Sequence, residues 1–227
     1  MKVGDRHYRS LWTEQPGGPV HIIDQTRLPH AFETRALDSL EAVAEAIVSM
    51  RVRGAPLIGV TAAFGIALAM ARDASDEALA HAAARLGATR PTAVNLAWAI
   101  ARMRTALAGL SPAERASAAW FQAQAIADED AALNEAIGRH GVSLLEREHA
   151  ARGRPVNVLT HCNAGWLACV DWGTALSPVF QAHDKGIPVH VWVDETRPRS
   201  QGLLTAWELA GHGVPHTLVA DNGAGHL

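Results

Sequence analysis

The chain has 227 residues, 48% hydrophobic and 19% charged, which excludes a disordered polypeptide and leaves ample length for a packed core. Twenty basic residues stand against 23 acidic ones, so a net charge of −3 gives no electrostatic case for a nucleic-acid binder. Two cysteines, Cys162 and Cys169, and an opening without a leader pattern predict a reduced, cytoplasmic setting.

Two short extended pieces are predicted first, near Tyr8–Thr13 and Val20–Gln25. Helical sequence follows. Asp38 and Ser39 read as caps before "LEAVAEAIVSM", and Pro56 fits the first turn of the helix after it. That helix lies in an uncharged run, Gly54–Ala71, whose length reaches the lower edge of a membrane span. It is rich in Ala and Gly, Arg53 and Arg72 bound it, and nothing like it recurs, so a buried helix of a soluble domain is predicted. Ser75 caps a further helix, and Arg90–Pro91–Thr92 precedes "AVNLAWAIARMRTAL". Ser111–Pro112–Ala113–Glu114 is a capping box with Pro at the first helical position. It opens a segment expected to run to about Ala150, with a break near Gly138 or Gly141.

The texture changes at Ala151–Arg152–Gly153–Arg154–Pro155. Beyond it, strands "VNVLTH", "PVHVWVDE" and "HTLVAD" alternate with helices "GTALSPVFQAHDKG" and "GLLTAWELAGHG", the pattern of βαβ units on a parallel sheet. The predicted class is α/β. Residues 1–150 form a mostly helical domain with a small β element, and residues 151–227 form the first part of a Rossmann-like domain with three strands.

Helix N-termini favour anions, because their backbone N–H groups are unpaired and the dipole end is positive. Four predicted helix starts carry a cation or small polar residues: Arg53–Gly54–Ala55, Arg90, Asn163–Ala164–Gly165 and Arg197–Pro198–Arg199–Ser200–Gln201–Gly202. Each alone is weak, since Arg-Pro before a helix is common. The last two follow strand ends, where open α/β sheets bind ligands. Arg197 and Arg199 suit an anion or ion pairs with Asp194 and Glu195 equally. Together the four starts point to a small phosphorylated ligand.

Cys162, in "LTHCNAGWLA", has three functional readings and a structural one. A metal site is disfavoured, because Cys162 and Cys169 lack a C-x-x-C or H-x-x-x-H companion. A Cys-His hydrolase is disfavoured, because consecutive strand residues His161 and Cys162 point to opposite faces. A thiol at a helix N-terminus, activated by the dipole, is the third; the structural reading is a small buried apolar residue. His161 reads as a structural hydrogen-bonding residue, Cys169 as core, and Trp98, Trp120, Trp192 and Trp207 as core packing.

The blocks "RVRGAPLIGVTAAFG", "RPTAVNLAWA", "LTHCNAGWLA…GTAL", "ETRPRSQGLLTAWEL" and "VADNGAGHL" resemble, in order and spacing, the methylthioribose-1-phosphate isomerases. That family is related to ribose-1,5-bisphosphate isomerases and, more distantly, to the regulatory subunits of the translation-initiation exchange factor. The resemblance implies conversion of 5-methylthioribose 1-phosphate to 5-methylthioribulose 1-phosphate in methionine salvage. It also implies a site between a small N-terminal and a Rossmann-like C-terminal domain, a homodimer, and no metal or organic cofactor. The substrate-binding Arg-Gly-Ala matches Arg53, Gly54 and Ala55, a second phosphate-side arginine matches Arg90, a binding glutamine matches Gln201, and the catalytic cysteine matches Cys162. Partners are then a small phosphorylated pentose and a second copy, with no nucleic acid and no membrane.

The chemistry explains these residue types. Phosphate caps the C1 oxygen of the sugar, so ring opening needs an acid at the ring oxygen. Hydrogen must then pass from C2 to C1, through an enolate-like intermediate or as a hydride. The family's catalytic aspartate and an Asn-Lys pair lie further along than Leu227, and Asp221 matches an earlier supporting acid. The expectation is therefore a fragment, inactive or nearly so alone. The alternatives are an isomerase of a related 5-substituted ribose 1-phosphate and a non-catalytic sugar-phosphate-sensing subunit.

Overall fold

In the computed structural model, which describes residues 1–227, the first two strands, β1 (Lys2–Val3) and β2 (Arg6–His7), form a small hairpin. Strands β3 (Leu11–Thr13), β4 (Val20–Ile23) and β5 (Thr34–Leu37) follow as an antiparallel sheet in that order. Then come helices α1 (Leu40–Val48), α2 (Ala55–Arg72), α3 (Asp76–Gly87), α4 (Val94–Leu107) and α5 (Pro112–Arg152). The remainder alternates β6 (Val156–Thr160), α6 (Ser177–Asp184), β7 (Val189–Asp194), α7 (Gly202–His212) and β8 (His216–Val219).

The chain divides into two compact units. One is Ser10–Asp130; the other combines Met1–Arg9 with Ala131–Leu227, so α5 contributes to both. This division falls inside α5, not at the composition change after Ala150.

In the Ser10–Asp130 unit, the predicted caps are in place. Ser39 accepts from the Ala42 N–H at 3.4 Å and Ser75 from the Ala78 N–H at 3.1 Å. The capping box closes between Ser111 and Glu114, with Oγ 2.6 Å and the Ser111 N–H 3.2 Å from Glu114 Oε2. Helix α2 is long and apolar enough to cross a bilayer by composition. It is nevertheless buried at every residue from Leu57 to Leu68, with α1, α3 and α4 packed against it, which is the environment of a core helix. Helix α4 begins at Val94 with Ala93 at its N-cap, directly after Arg90–Pro91–Thr92 as expected.

Gly138 and Gly141 do not break α5. A Cβ on Gly138 would collide with Ser177 and Gln181, and one on Gly141 with Pro178, so both glycines admit the start of α6 against the long helix. The glycines mark a close approach of two elements. Trp98 departs from the expected core packing: it is 50% exposed, with the Arg102 guanidinium 5.5 Å from its ring centre.

In the second unit, β6, β7 and β8 form a parallel sheet in that order, with Thr160 beside Val193 and Asp194 beside Val219. The α/β class and the βαβ alternation stand as read. Val189, Val191 and Val193 are buried on the face that α6 and α7 cover, while Leu159 is exposed and Trp192 half-buried on the other. The helix expected from Gly173 starts only at Ser177, after a short 3-10 turn at Trp166–Ala168.

Candidate active site

The carboxyl edge of the parallel sheet gathers the ends of β6, β7 and β8. Directly after β6, Cys162 leaves the strand in the left-handed region, with φ 61°. Both backbone polar groups of that residue are held. Its N–H donates to Thr196 Oγ1 at 2.7 Å, and its carbonyl accepts from Thr205 Oγ1 at 2.8 Å. The thiol residue is half-buried, whereas Cys169 is fully buried.

No α-helix starts at Asn163, which corrects the expectation that a helix dipole activates Cys162. A three-residue 3-10 turn stands there instead. The loop is shaped from α7. Glu208, 2% exposed, accepts from Asn163 Nδ2 at 2.7 Å, from the Trp166 N–H at 2.9 Å and from the Leu167 N–H at 3.2 Å. A buried carboxylate with three donors of this kind acts as a rigid staple.

The β7 end is clasped by Asp221. Its two oxygens accept the N–H groups of Thr196 at 2.7 Å and Arg197 at 2.9 Å. The Arg197 N–H is the main cause that holds the Asp221 carboxyl below its ordinary value. Asp221 thus supports the strand-end loop, as its position suggested. Arg197 also pairs with Glu195, Nε to Oε1 at 3.1 Å. Thr196 and Ser200 share the left-handed backbone of Cys162, with φ 59° and 50°. Non-glycine residues in that region cluster at functional sites.

Gln201 caps α7, and its side-chain Oε1 is buried without a hydrogen-bond donor. Thr205 ties it to Cys162: the Thr205 N–H donates to the Gln201 carbonyl at 3.4 Å while its hydroxyl holds the Cys162 carbonyl. Next to the thiol, His161 Nδ1 lies 2.6 Å from Asp194 Oδ2.

The remaining candidates belong to the Ser10–Asp130 unit. Arg53 is 7% exposed, Gly54 is the N-cap of α2 at φ 89°, and Ala55 begins that helix. Arg90, half-buried, precedes α4, which packs on α2. Asp24, fully buried, anchors the segment before Arg53: it accepts from Arg51 Nη1 at 2.5 Å, Arg35 Nε at 2.6 Å and Thr26 Oγ1 at 2.6 Å. Burial alone would raise the Asp24 carboxyl; the bonds from Thr26, Arg35 and Arg51 outweigh it and hold it below its ordinary value.

So the structure joins Cys162 with Gln201 in one unit, and sets Arg53, Gly54, Ala55 and Arg90 ahead of two packed helices in the other. Sequence reasoning missed Thr196, Thr205, Glu208 and Asp24. A lone acid inside the apolar "LLTAWELAG" and another closing "VHIID" are the signals that would have found two of them.

A parallel sheet covered by helices, with a clamped thiol and an imidazole–carboxylate pair at its carboxyl edge, defines an α/β protein with polar groups gathered where open sheets of this class bind ligands. The initiation factor 2 subunit family matches residues 51–227, and the chain belongs to that family. It is 64% identical to the methylthioribose-1-phosphate isomerase of Dechloromonas aromatica, over all of this chain and 63% of that protein. A crystal structure of 5-methylthioribose 1-phosphate isomerase from Pyrococcus horikoshii superposes with a TM-score of 0.85 at 38% identity, over 97% of this chain and 62% of that one. The structure of a translation initiation factor eIF-2B delta subunit from A. fulgidus superposes with a TM-score of 0.82 at 39% identity, over 97% and 64%. The resemblance read from the sequence blocks is therefore borne out. The chain spans about three-fifths of the length of the curated relatives it matches.

Proposed function

We propose that the protein carrying these residues is an aldose–ketose isomerase that converts 5-methylthioribose 1-phosphate to 5-methylthioribulose 1-phosphate. The observation that carries this reading is 64% identity to an isomerase of that name along the whole chain. Cys162 held rigid at the sheet's carboxyl edge supports it. In this reading Cys162 handles the C2 hydrogen, and Arg53, Gly54, Ala55 and Arg90 bind the phosphate side of the substrate. Gln201, at the N-cap position of α7, binds the sugar beside Cys162. The working form is a cytoplasmic homodimer, with no part for nucleic acid or membrane. Residues 1–150 and 151–227 act as its N-terminal domain and the beginning of its C-terminal one.

A second reading, a sugar-phosphate-sensing subunit without turnover, draws on the 39% identity to the A. fulgidus chain. The test places residues 1–227 in the D. aromatica isomerase, in place of the region they match. Isomerase turnover is expected, and Cys162→Ala should lower it by about 10²–10⁴-fold. A folded chimera that binds methylthioribose 1-phosphate without turning it over supports the sensing reading. One that prefers another ribose 1-phosphate reassigns the substrate.

A further inference from the structure

The proposed reaction needs a proton acceptor that the residues named above do not supply. Whichever way hydrogen travels from C2 to C1, the C2 hydroxyl must lose its proton as C2 becomes the carbonyl. His161 stands one residue before Cys162, at the same sheet edge. Thr160 is in register with Val193, so His161 and Asp194 are the next pair along the two strands. Their side chains meet at 2.6 Å, Nδ1 to Oδ2. The Asp194 side chain is 8% exposed and that of His161 60%, so the carboxylate is buried and the imidazole reaches outward. A carboxylate only accepts, which makes Nδ1 the donor and leaves Nε2 without a partner in the chain.

A purely structural pair explains this poorly. Asp194 Oδ1 is buried without a donor, an arrangement that destabilises the fold. A surface histidine needs no such anchor, whereas an imidazole that must present one nitrogen does. The charged neighbours at the strand ends are Glu195, Arg197 and Asp221, the last lying beside the Asp194 carboxyl.

The geometry points to His161 as a further proton-transfer residue, oriented by Asp194, in the reaction proposed above, on which this inference rests. Nε2 takes the proton of the C2 hydroxyl, and the O–H electron pair becomes the second bond of the C2 carbonyl. The hydrogen on C2 passes to C1, the C1–ring oxygen bond breaks with its pair on oxygen, and the ring oxygen takes one proton. The imidazolium, balanced by Asp194, releases its proton to solvent, so one proton enters and one leaves.

His161→Asn separates this role from a structural one, because the Asn amide can still donate to Asp194 while Nε2 is lost. In the chimera described above, H161N should keep its melting temperature, lose about 10²–10⁴-fold in turnover, and lose one limb of the pH profile. Wild-type turnover in H161N overturns the inference alone; absence of turnover in the unsubstituted chimera overturns the function reading and this inference with it. A measurement on the 227-residue chain needs no variant to fold. Imidazole ¹⁵N shifts of the neutral His161 ring should show the proton on Nδ1 and Nε2 bare. A proton fixed on Nε2 instead sinks the proposal.

Discussion

Thr196 is a β-branched residue held at φ 59°, a conformation that is unfavourable by on the order of 1–3 kcal/mol. Its surroundings over-determine it. The Thr196 N–H is taken by Asp221, its hydroxyl donates to the Asp194 carbonyl at 3.1 Å, and the same oxygen accepts the Cys162 N–H. One side chain thus fixes both the end of β7 and the residue that bears the thiol. Thr196→Val preserves shape and branching while deleting the hydroxyl, so it leaves a backbone N–H at Cys162 and a carbonyl at Asp194 without their partner. The expected loss is about 1–2 kcal/mol of stability, read by urea unfolding. Cys162→Gly should act in the opposite direction. Glycine tolerates φ 61° without strain, so stability should hold or rise by up to about 1 kcal/mol. A Thr196→Val protein as stable as the parent would show that the clamp contributes nothing.

At the level of elements, what the sequence revealed was local and what it concealed was not. Ser39, Ser75 and the Ser111–Glu114 box were readable because a cap bonds to groups two or three residues away. The strands after Pro155 were readable from their apolar runs. The loop after Cys162 was misread as a helix start because Glu208, 45 residues beyond Asn163, dictates its shape. Cys162 and Gln201 emerged from the sequence blocks, but the threonines that hold them bond across strand ends and carry no local signature. Gly138 and Gly141 illustrate the same limit: glycine inside a helix reads as a break when only propensity is weighed. Here each admits α6 to the side of α5. Gly141→Ala should therefore destabilise the Ala131–Leu227 part by about 1–3 kcal/mol through overpacking against Pro178, despite alanine's better helix propensity. Thermal melting distinguishes the two effects, because propensity alone predicts a small rise in melting temperature.

At the scale of the whole molecule, the two compact units rest on different kinds of interior. The parallel-sheet unit buries Val189, Val191 and Val193 beneath helices, while the Ser10–Asp130 unit adds to its apolar core around α2 a charged knot at Asp24. That knot joins the end of β4 to Arg35 of β5 and to Arg51 just before the Arg53–Gly54–Ala55 turn, and the Gln25 N–H donates to the Arg51 carbonyl at 3.0 Å. Acid stability follows from its titration. The folded Asp24 carboxyl is held below its ordinary value, so its contribution is complete above the unfolded value and is lost as pH falls through the folded one. Asp24→Asn removes the charge with little change of shape and leaves Arg51, 23% exposed, with Glu45 as its remaining carboxylate partner. It should lower stability at neutral pH by about 1–3 kcal/mol. The gap between parent and variant should then close as pH drops below the carboxylate range, because the parent loses what the variant never had. Hydrogen exchange read by mass spectrometry assigns the effect to a unit: protection should fall in Ser10–Asp130 and hold in Ala131–Leu227. A gap that persists undiminished into strong acid, or a loss of protection centred on β6, β7 and β8, would mean that Asp24 is not what ties the Arg53 turn to its sheet.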